Sequence, residues 1–177
     1  MEKYEQFAAE MEAAYPEMFS QPYGGFAVGE GWYPVLRSLC FHINSHEEWA
    51  IKNRERDIVY NEMLQEAIDG NRTRMLEYFK WSGDQEGDVD AAIEQGLRII
   101  KDLPARVTVA QIKEKFGGLR FYYDGGDEYI SGLVTMAESW ADKTCEVCGD
   151  AGQLRNGGWV RTLCDTHEEE YQKNKAK

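Results

Sequence analysis

Four potential metal ligands near the end of the printed sequence constrain the fold of this chain most strongly. Cys145 and Cys148 form a CxxC turn that Gly149 follows, and Cys164 and His167 come after a short intervening segment. A CxxC turn directs two sulfurs toward one ion, and three thiolates with one imidazole complete a tetrahedral site. The spacing therefore predicts one structural zinc ion, bound by these four side chains, with no open position for a reacting water.

The segment between the two ligand pairs predicts how this module folds. Short strands on either side of Asn156-Gly157-Gly158 can form a hairpin, and the acidic run from Glu168 suits the first turn of a helix. A knuckle, a hairpin and a helix that supplies the last two ligands are typical of a treble-clef zinc finger. The alternatives are free, reduced cysteines and an iron site, which the mixed Cys/His ligand set disfavours.

The earlier part of the chain has mainly helical periodicity. Ser45 and Glu48 match a capping box, which predicts that one helix ends before Ser45 and that another follows it. Asp88 is expected to cap a further helix that runs until Pro104. Cys40 stands alone on an apolar stripe and is expected to be a small buried side chain.

After Pro104 the periodicity changes from helical to alternating. The pattern predicts a β-hairpin over residues 107–123, with Gly117-Gly118 as its tight turn. The fold class is therefore predicted to be α+β. A mostly helical domain, residues 1–142, contains the hairpin, and a small treble-clef-like zinc module, residues 143–177, follows it.

The hairpin interleaves basic and aromatic side chains. Such a mixture stacks bases and neutralises phosphates in nucleic-acid-binding proteins, and it also occurs at protein–protein hot spots. The candidate binding residues are Lys113, Lys115, Arg120 and Tyr122, with Trp32 from the earlier aromatic loop. The simpler interpretation, which we place first, is that the rings belong to the core and the cations form its solvated rim.

The charge of the chain bears on its partners. The formal net charge is −12, and residues 1–100 carry nine basic and 19 acidic side chains. This balance favours a basic protein partner over nucleic acid, although acidity also serves solubility alone. The chain has neither an apolar run long enough to span a bilayer nor a secretory signal at its first residues, so we expect a cytoplasmic protein with no membrane partner.

No group of side chains in the sequence predicts catalysis. A nuclease of the His-Asn-His type would need a histidine in the hairpin of the zinc module, but His42 and His46 lie far upstream. We therefore expect a protein that is not an enzyme. The alternative is an enzyme whose pocket is lined by Trp32, Tyr33 and the 107–123 hairpin.

The motif KEKFGGLRFYY, which ends at Tyr123, is followed by a predicted helix and the CxxC…CxxH ligands. This combination resembles a group of small proteins encoded by tailed bacteriophages, prophages and some bacteria, as does Gly31-Trp32-Tyr33-Pro34. The resemblance covers roughly residues 24–46 and 107–167. It implies a phage-like origin, an accessory role and a zinc site at the four ligands named above, but it carries no known activity.

Taken together, these features lead to one functional hypothesis and two alternatives. The hypothesis is an acidic, zinc-stabilised, non-enzymatic interaction protein, a phage accessory factor that inhibits a host or defence protein in the host cytoplasm. The first alternative is a nucleic-acid-associated protein that uses the basic and aromatic hairpin. The second is an enzyme with a pocket that the sequence does not reveal.

Overall fold

The computed structural model describes residues 3–156 and 158–175, and within them the chain has mixed α+β structure, as predicted. The helices are α1 (Lys3–Ala14), α2 (Tyr33–Ile68), α3 (Thr73–Tyr78), α4 (Gln85–Gln95), α5 (Glu128–Ala141) and α6 (Asp165–Lys175). The strands are β1 (Phe26–Ala27), β2 (Thr108–Lys115), β3 (Gly118–Asp124), β4 (Gln153–Arg155) and β5 (Arg161–Leu163).

The described chain divides into two compact units. The first comprises the residues up to His46 and those from Pro104 onward, and the second comprises Glu47–Leu103. Helix α2 supplies residues to both units. The predicted boundary between residues 142 and 143 stays a prediction, although the residues on both of its sides belong to the first unit.

The first unit is built on a three-stranded sheet in the order β1-β2-β3, in which β1 runs parallel to β2 and β3 antiparallel to it. Helix α5 packs against β3. Apolar side chains of α1, α2, α5 and the sheet form one core, whose largest fully buried members include Phe7, Trp32, Leu36, Ile112 and Ile130. The alternation of apolar and polar residues in β2 and β3 directs one face of the sheet into this core.

The predicted helix break at Ser45 is wrong. Helix α2 is continuous over 36 residues, and Ser45 is an exposed residue within it. A capping box begins a helix only where the preceding chain leaves helical geometry, and here the buried Leu39 and Ile43 hold the preceding turns against the core. Despite the length of α2, no helix among residues 3–156 and 158–175 has the length and apolar character of a membrane span.

The hairpin is present, but its turn lies one residue earlier than predicted. Lys115 pairs with Gly118, so Phe116 and Gly117 form the two-residue turn, with φ angles of 53° and 78°. A tight primed turn needs positive φ at both positions. The Glu114 carboxylate accepts a hydrogen bond of 2.6 Å from the Gly117 N–H, which holds this register.

Replacing Phe116 by asparagine should stabilise the hairpin. Phe116 is 73% exposed, so little packing is lost, and asparagine tolerates the left-handed conformation much better than phenylalanine does. We expect F116N to raise the free energy of unfolding by about 1 kcal/mol, measured by urea denaturation. F116A removes the same ring without relieving the backbone, so a gain in F116A equal to that in F116N would contradict this explanation.

The second unit has its own small core between the later part of α2, α3 and α4. Its buried side chains are Tyr60, Leu64, Ala67, Met75, Val89 and Ala92. Asp84, and not Asp88 as predicted, caps α4 by accepting a hydrogen bond from the Gly87 N–H. The helix ends at Gln95 because Gly96 adopts a φ of 78°, so the predicted continuation to Pro104 is wrong.

Candidate metal centre

The four predicted ligands lie together in the first unit. Their ligand atoms are all within 4.8 Å of one another, so the group could hold a metal ion. The His167 Nδ1 lies 3.1 Å from the Cys164 Sγ and 3.5 Å from the Cys145 Sγ. The sulfurs of Cys148 and Cys164 are 3.9 Å apart, well beyond the roughly 2.05 Å of a disulfide bond. Among the described residues, the four cysteines form no disulfide bond.

Two different local structures supply the two ligand pairs. In the first, the Gly149 N–H donates to the Cys145 carbonyl (2.9 Å), and Gly149 has a φ of 85°, which allows the tight turn after Cys148. In the second, Cys164 directly precedes α6, and His167 lies in the first turn of that helix. The strands β4 and β5 join the two, as predicted, although Gly157 of the expected glycine turn lies outside the described residues.

Backbone donors surround the sulfur of Cys145. Burial raises the pKa of this thiol, but hydrogen bonds from the backbone N–H groups of Cys164, Cys148 and Val147 outweigh burial and lower the pKa to about 7. At Cys148 the backbone N–H of Asp150 lowers the pKa. Burial and the neighbouring Cys145, Asp150 and Cys164 side chains oppose this effect and raise the pKa to about 12. A divalent cation at the centre would stabilise all of these thiolates.

The turn that contains Cys145 and Cys148 and ends at Gly149 is called the knuckle below. Specific hydrogen bonds join the knuckle to the core of the first unit. The Gly31 N–H donates to the Glu146 carbonyl (2.9 Å), and the Trp32 indole N–H donates to the Thr144 carbonyl (2.7 Å). Glycine is required at position 31 because an added Cβ would lie 2.1 Å from the Cys145 carbonyl oxygen. Gly31 and Trp32 therefore hold the knuckle against the core of the first unit.

Trp32 was a candidate binding residue, and its position does not support that role. The side chain is 0% exposed and is the largest fully buried side chain of the described residues. Its indole N–H is already satisfied by Thr144, and Tyr33 stacks on Phe7 with ring centroids 3.8 Å apart. Trp32 and Tyr33 pack within the first unit, where burying aromatic rings stabilises the core.

The other four candidate binding residues share one face of the hairpin. Lys113 pairs directly with Arg120 across the strands, and the Lys113 ammonium lies 5.2 Å from the ring centroid of Tyr122. Tyr122 is 41% exposed, whereas Leu119 of the same strand is fully buried. The hairpin thus contributes one face to the core and presents a basic and aromatic face outside it.

An ion pair with a buried carboxylate joins the knuckle to β5. Glu146, between two of the ligands, has a side chain only 5% exposed, and it accepts hydrogen bonds from the Arg161 guanidinium of β5. Burial raises the pKa of Glu146, while Arg161 opposes that rise. The sequence contains no local signal for this pair, because the two residues meet only when the knuckle and β5 come together.

An apolar groove, which the sequence reasoning missed, lies between α2 and α5. Its volume is about 410 Å³, and its apolar lining includes Val35, Leu39, Leu133 and Ala137. Trp140, at 64% exposed, and Met136, at 57%, also line it. At one end the lining is completed by Thr144 and Gly149, on either side of the first ligand pair. The sequence pattern that could have predicted this groove lies in α5, whose apolar residues cover more of its surface than one sheet can bury.

The comparison with known proteins yields no relative. No protein family, curated protein or solved structure compared with this chain matches it.

Proposed function

We propose that this chain is a zinc-stabilised, non-enzymatic protein-interaction protein, in which residues 145–167 form a treble-clef-like module around one structural zinc ion. Tetrahedral zinc with thiolate and imidazole ligands would separate two sulfurs by about 3.8 Å and a sulfur from a nitrogen by about 3.6 Å. The corresponding distances are 3.9 Å for Cys148 and Cys164 and 3.5 Å for Cys145 and His167. The 3.1 Å between Cys164 and His167 is shorter, and these two ligands would move apart on binding the ion. The four donors fit zinc and leave no position for a substrate water.

The apolar groove is the observation that carries the interaction function. Large exposed apolar side chains beside a groove are typical of protein interaction sites. Trp140 and Met136 present such surface, and Gly149 of the knuckle lines the groove at one end. A metal that fixes the knuckle would also fix that end of the groove. The net charge of −12 favours a partner that combines an apolar anchor with a basic surface.

The biological setting is part of the same proposal. The resemblance of the hairpin and the ligand pattern to phage-encoded small proteins supports an accessory factor that inhibits a host or defence protein. Inhibition by occlusion would require only a stable, complementary surface, which is what a metal-braced groove can supply.

Replacing Trp140 by alanine tests the groove. The zinc-loaded, tagged full chain is cross-linked to its partner in host cells. We expect W140A to capture at least tenfold less of that partner than the wild type does, because aromatic side chains buried in an interface dominate its affinity. Binding is measured by quantitative mass spectrometry of the captured material. W81A is the matched control: Trp81 is 90% exposed and lies in the second unit, outside the groove.

Three outcomes would count against this proposal. One is the absence of any partner whose capture depends on Trp140, and another is an equal loss in W81A. The third is captured nucleic acid that K113Q and K115Q release. That result would instead favour the basic and aromatic face, where Lys113 and Tyr122 lie together, as the functional surface.

A further inference from the structure

A second cleft lies beside the knuckle and is lined by charged and aromatic side chains. It has a volume of about 330 Å³, enough for one long side chain. Its lining includes Glu114 of β2, Glu146, Arg161 of β5, Tyr171 of α6 and Trp159. Strand β2 and the knuckle therefore supply two carboxylates to this cleft, and α6 and the segment before β5 each supply an aromatic ring.

Glu146, which lines this cleft, has one carboxylate oxygen that lacks a hydrogen-bond partner among the described residues. Arg161 directs both its Nε and an Nη toward Oε1 of Glu146. The other oxygen, Oε2, is buried and accepts no hydrogen bond from the described residues. A buried acceptor without a donor costs free energy. An N–H group in the cleft would satisfy it once the side chains that cover this oxygen move aside.

The charges and rings of the cleft favour a cation. Arg161 offsets one of the two carboxylates, so the three charged side chains carry a net charge of −1. Trp159 is 68% exposed and offers an aromatic face. Carboxylates beside aromatic rings bind organic cations through charge-assisted hydrogen bonds and cation–π contacts.

We propose that this cleft binds the guanidinium group of an arginine side chain from the protein partner. The inference deepens the proposed function, on which it rests, because it names the chemistry of one partner residue. A guanidinium is planar and carries several N–H donors, so it can bond to Glu114 while it stacks on Trp159. Its remaining donors can reach Oε2 of Glu146 when the side chains that cover this oxygen move aside. An ammonium concentrates its charge at one point and cannot stack in this way.

Binding of single amino-acid probes to the zinc-loaded full chain tests the cleft. The probes are N-acetyl-arginine amide, its neutral analogue N-acetyl-citrulline amide, and N-acetyl-lysine amide, each titrated while the indole N–H signal of Trp159 is followed by NMR. The arginine probe should shift that signal and bind at least tenfold more tightly than either of the other two.

Two variants assign the binding to the carboxylates. E114Q keeps a carbonyl oxygen to accept from the Gly117 N–H, so the hairpin turn is preserved while the charge is lost. It should weaken binding of the arginine probe at least tenfold. E146Q should do the same if it folds, but E114Q alone decides the test. E128Q, at an exposed position on α5 outside the cleft, is the control for a change of net charge and should bind as the wild type does.

The contrary results are equally specific. Equal binding of the arginine and citrulline probes, an unshifted Trp159 signal, or undiminished binding in E114Q would overturn the proposal. Lysine binding equal to arginine binding would overturn the assignment to a guanidinium. Because the probes require no partner, failure here leaves the Trp140-dependent capture intact, and failure of that capture leaves an arginine-binding cleft.

Discussion

Removal of the metal is expected to destabilise the first unit by several kcal/mol. Metal binding is coupled to folding in structural zinc sites, and Cys145 is fully buried in the same unit as the main core. Trp32 and Gly31 bond to the knuckle, so a knuckle without its ion would also disturb the core beside it. A chelator, or the substitution C164S, should therefore lower the midpoint of thermal unfolding, measured by circular dichroism.

The control for this prediction is the remaining cysteine. Cys40 is fully buried in the core, as the sequence predicted, and burial raises its pKa to about 12. C40A should cost about 1 kcal/mol through lost packing while keeping one zinc ion per chain, measured by elemental analysis. C164S should lose the ion. A purified wild-type protein without zinc, or an unfolding curve that a chelator leaves unchanged, would contradict the metal assignment.

Substitution of Gly31 by alanine should have the second large effect. The added Cβ would lie 2.1 Å from the Cys145 carbonyl oxygen and 2.5 Å from the Gly149 nitrogen, both of them backbone atoms of the knuckle. Neither can move as a flexible side chain would. We expect G31A to lower the free energy of unfolding by about 3 kcal/mol, measured by urea denaturation. It should also weaken zinc binding, measured by competition with a chelator.

Gly132 provides a matched control within the same unit. It is exposed on α5, and a Cβ there would meet nothing within 4 Å. G132A should therefore stabilise the chain by about 0.5–1 kcal/mol, since alanine favours a helix over glycine. If G31A is as stable as the wild type and binds zinc equally well, the close contact at Gly31 does not hold the knuckle in place.

Local sequence signals were sufficient wherever a few neighbouring residues decide the structure. Asp127 caps α5, because its side chain accepts a hydrogen bond of 3.0 Å from the Ile130 N–H. The CxxC spacing placed Cys145 and Cys148 beside one another for the same reason. A cap or a knuckle depends on a single turn of chain, so its residues predict it directly.

The signals failed where a local pattern competed with packing or with a second local signal. Ser45 matches a cap, yet α2 continues through it because buried side chains hold the preceding turns against the core. Gly96 ended α4 before the apolar residues that had suggested a longer helix. In the hairpin, Gly117 could occupy either turn position, and the pairing of Lys115 with Gly118 selected one. Register depends on both strands, which local spacing does not show.

The amino-acid sequence by itself determined the identity of the four clustered ligands and most of the helices and strands, because those features follow from short-range spacing and periodicity. Only the tertiary structure decided that Gly31 and Trp32 bond to the knuckle. The ion pair between Glu146 and Arg161 and the groove beside Trp140 were also visible only there. Each of these depends on contacts between residues far apart in the chain. Long-range packing chooses such contacts, and no local pattern encodes them.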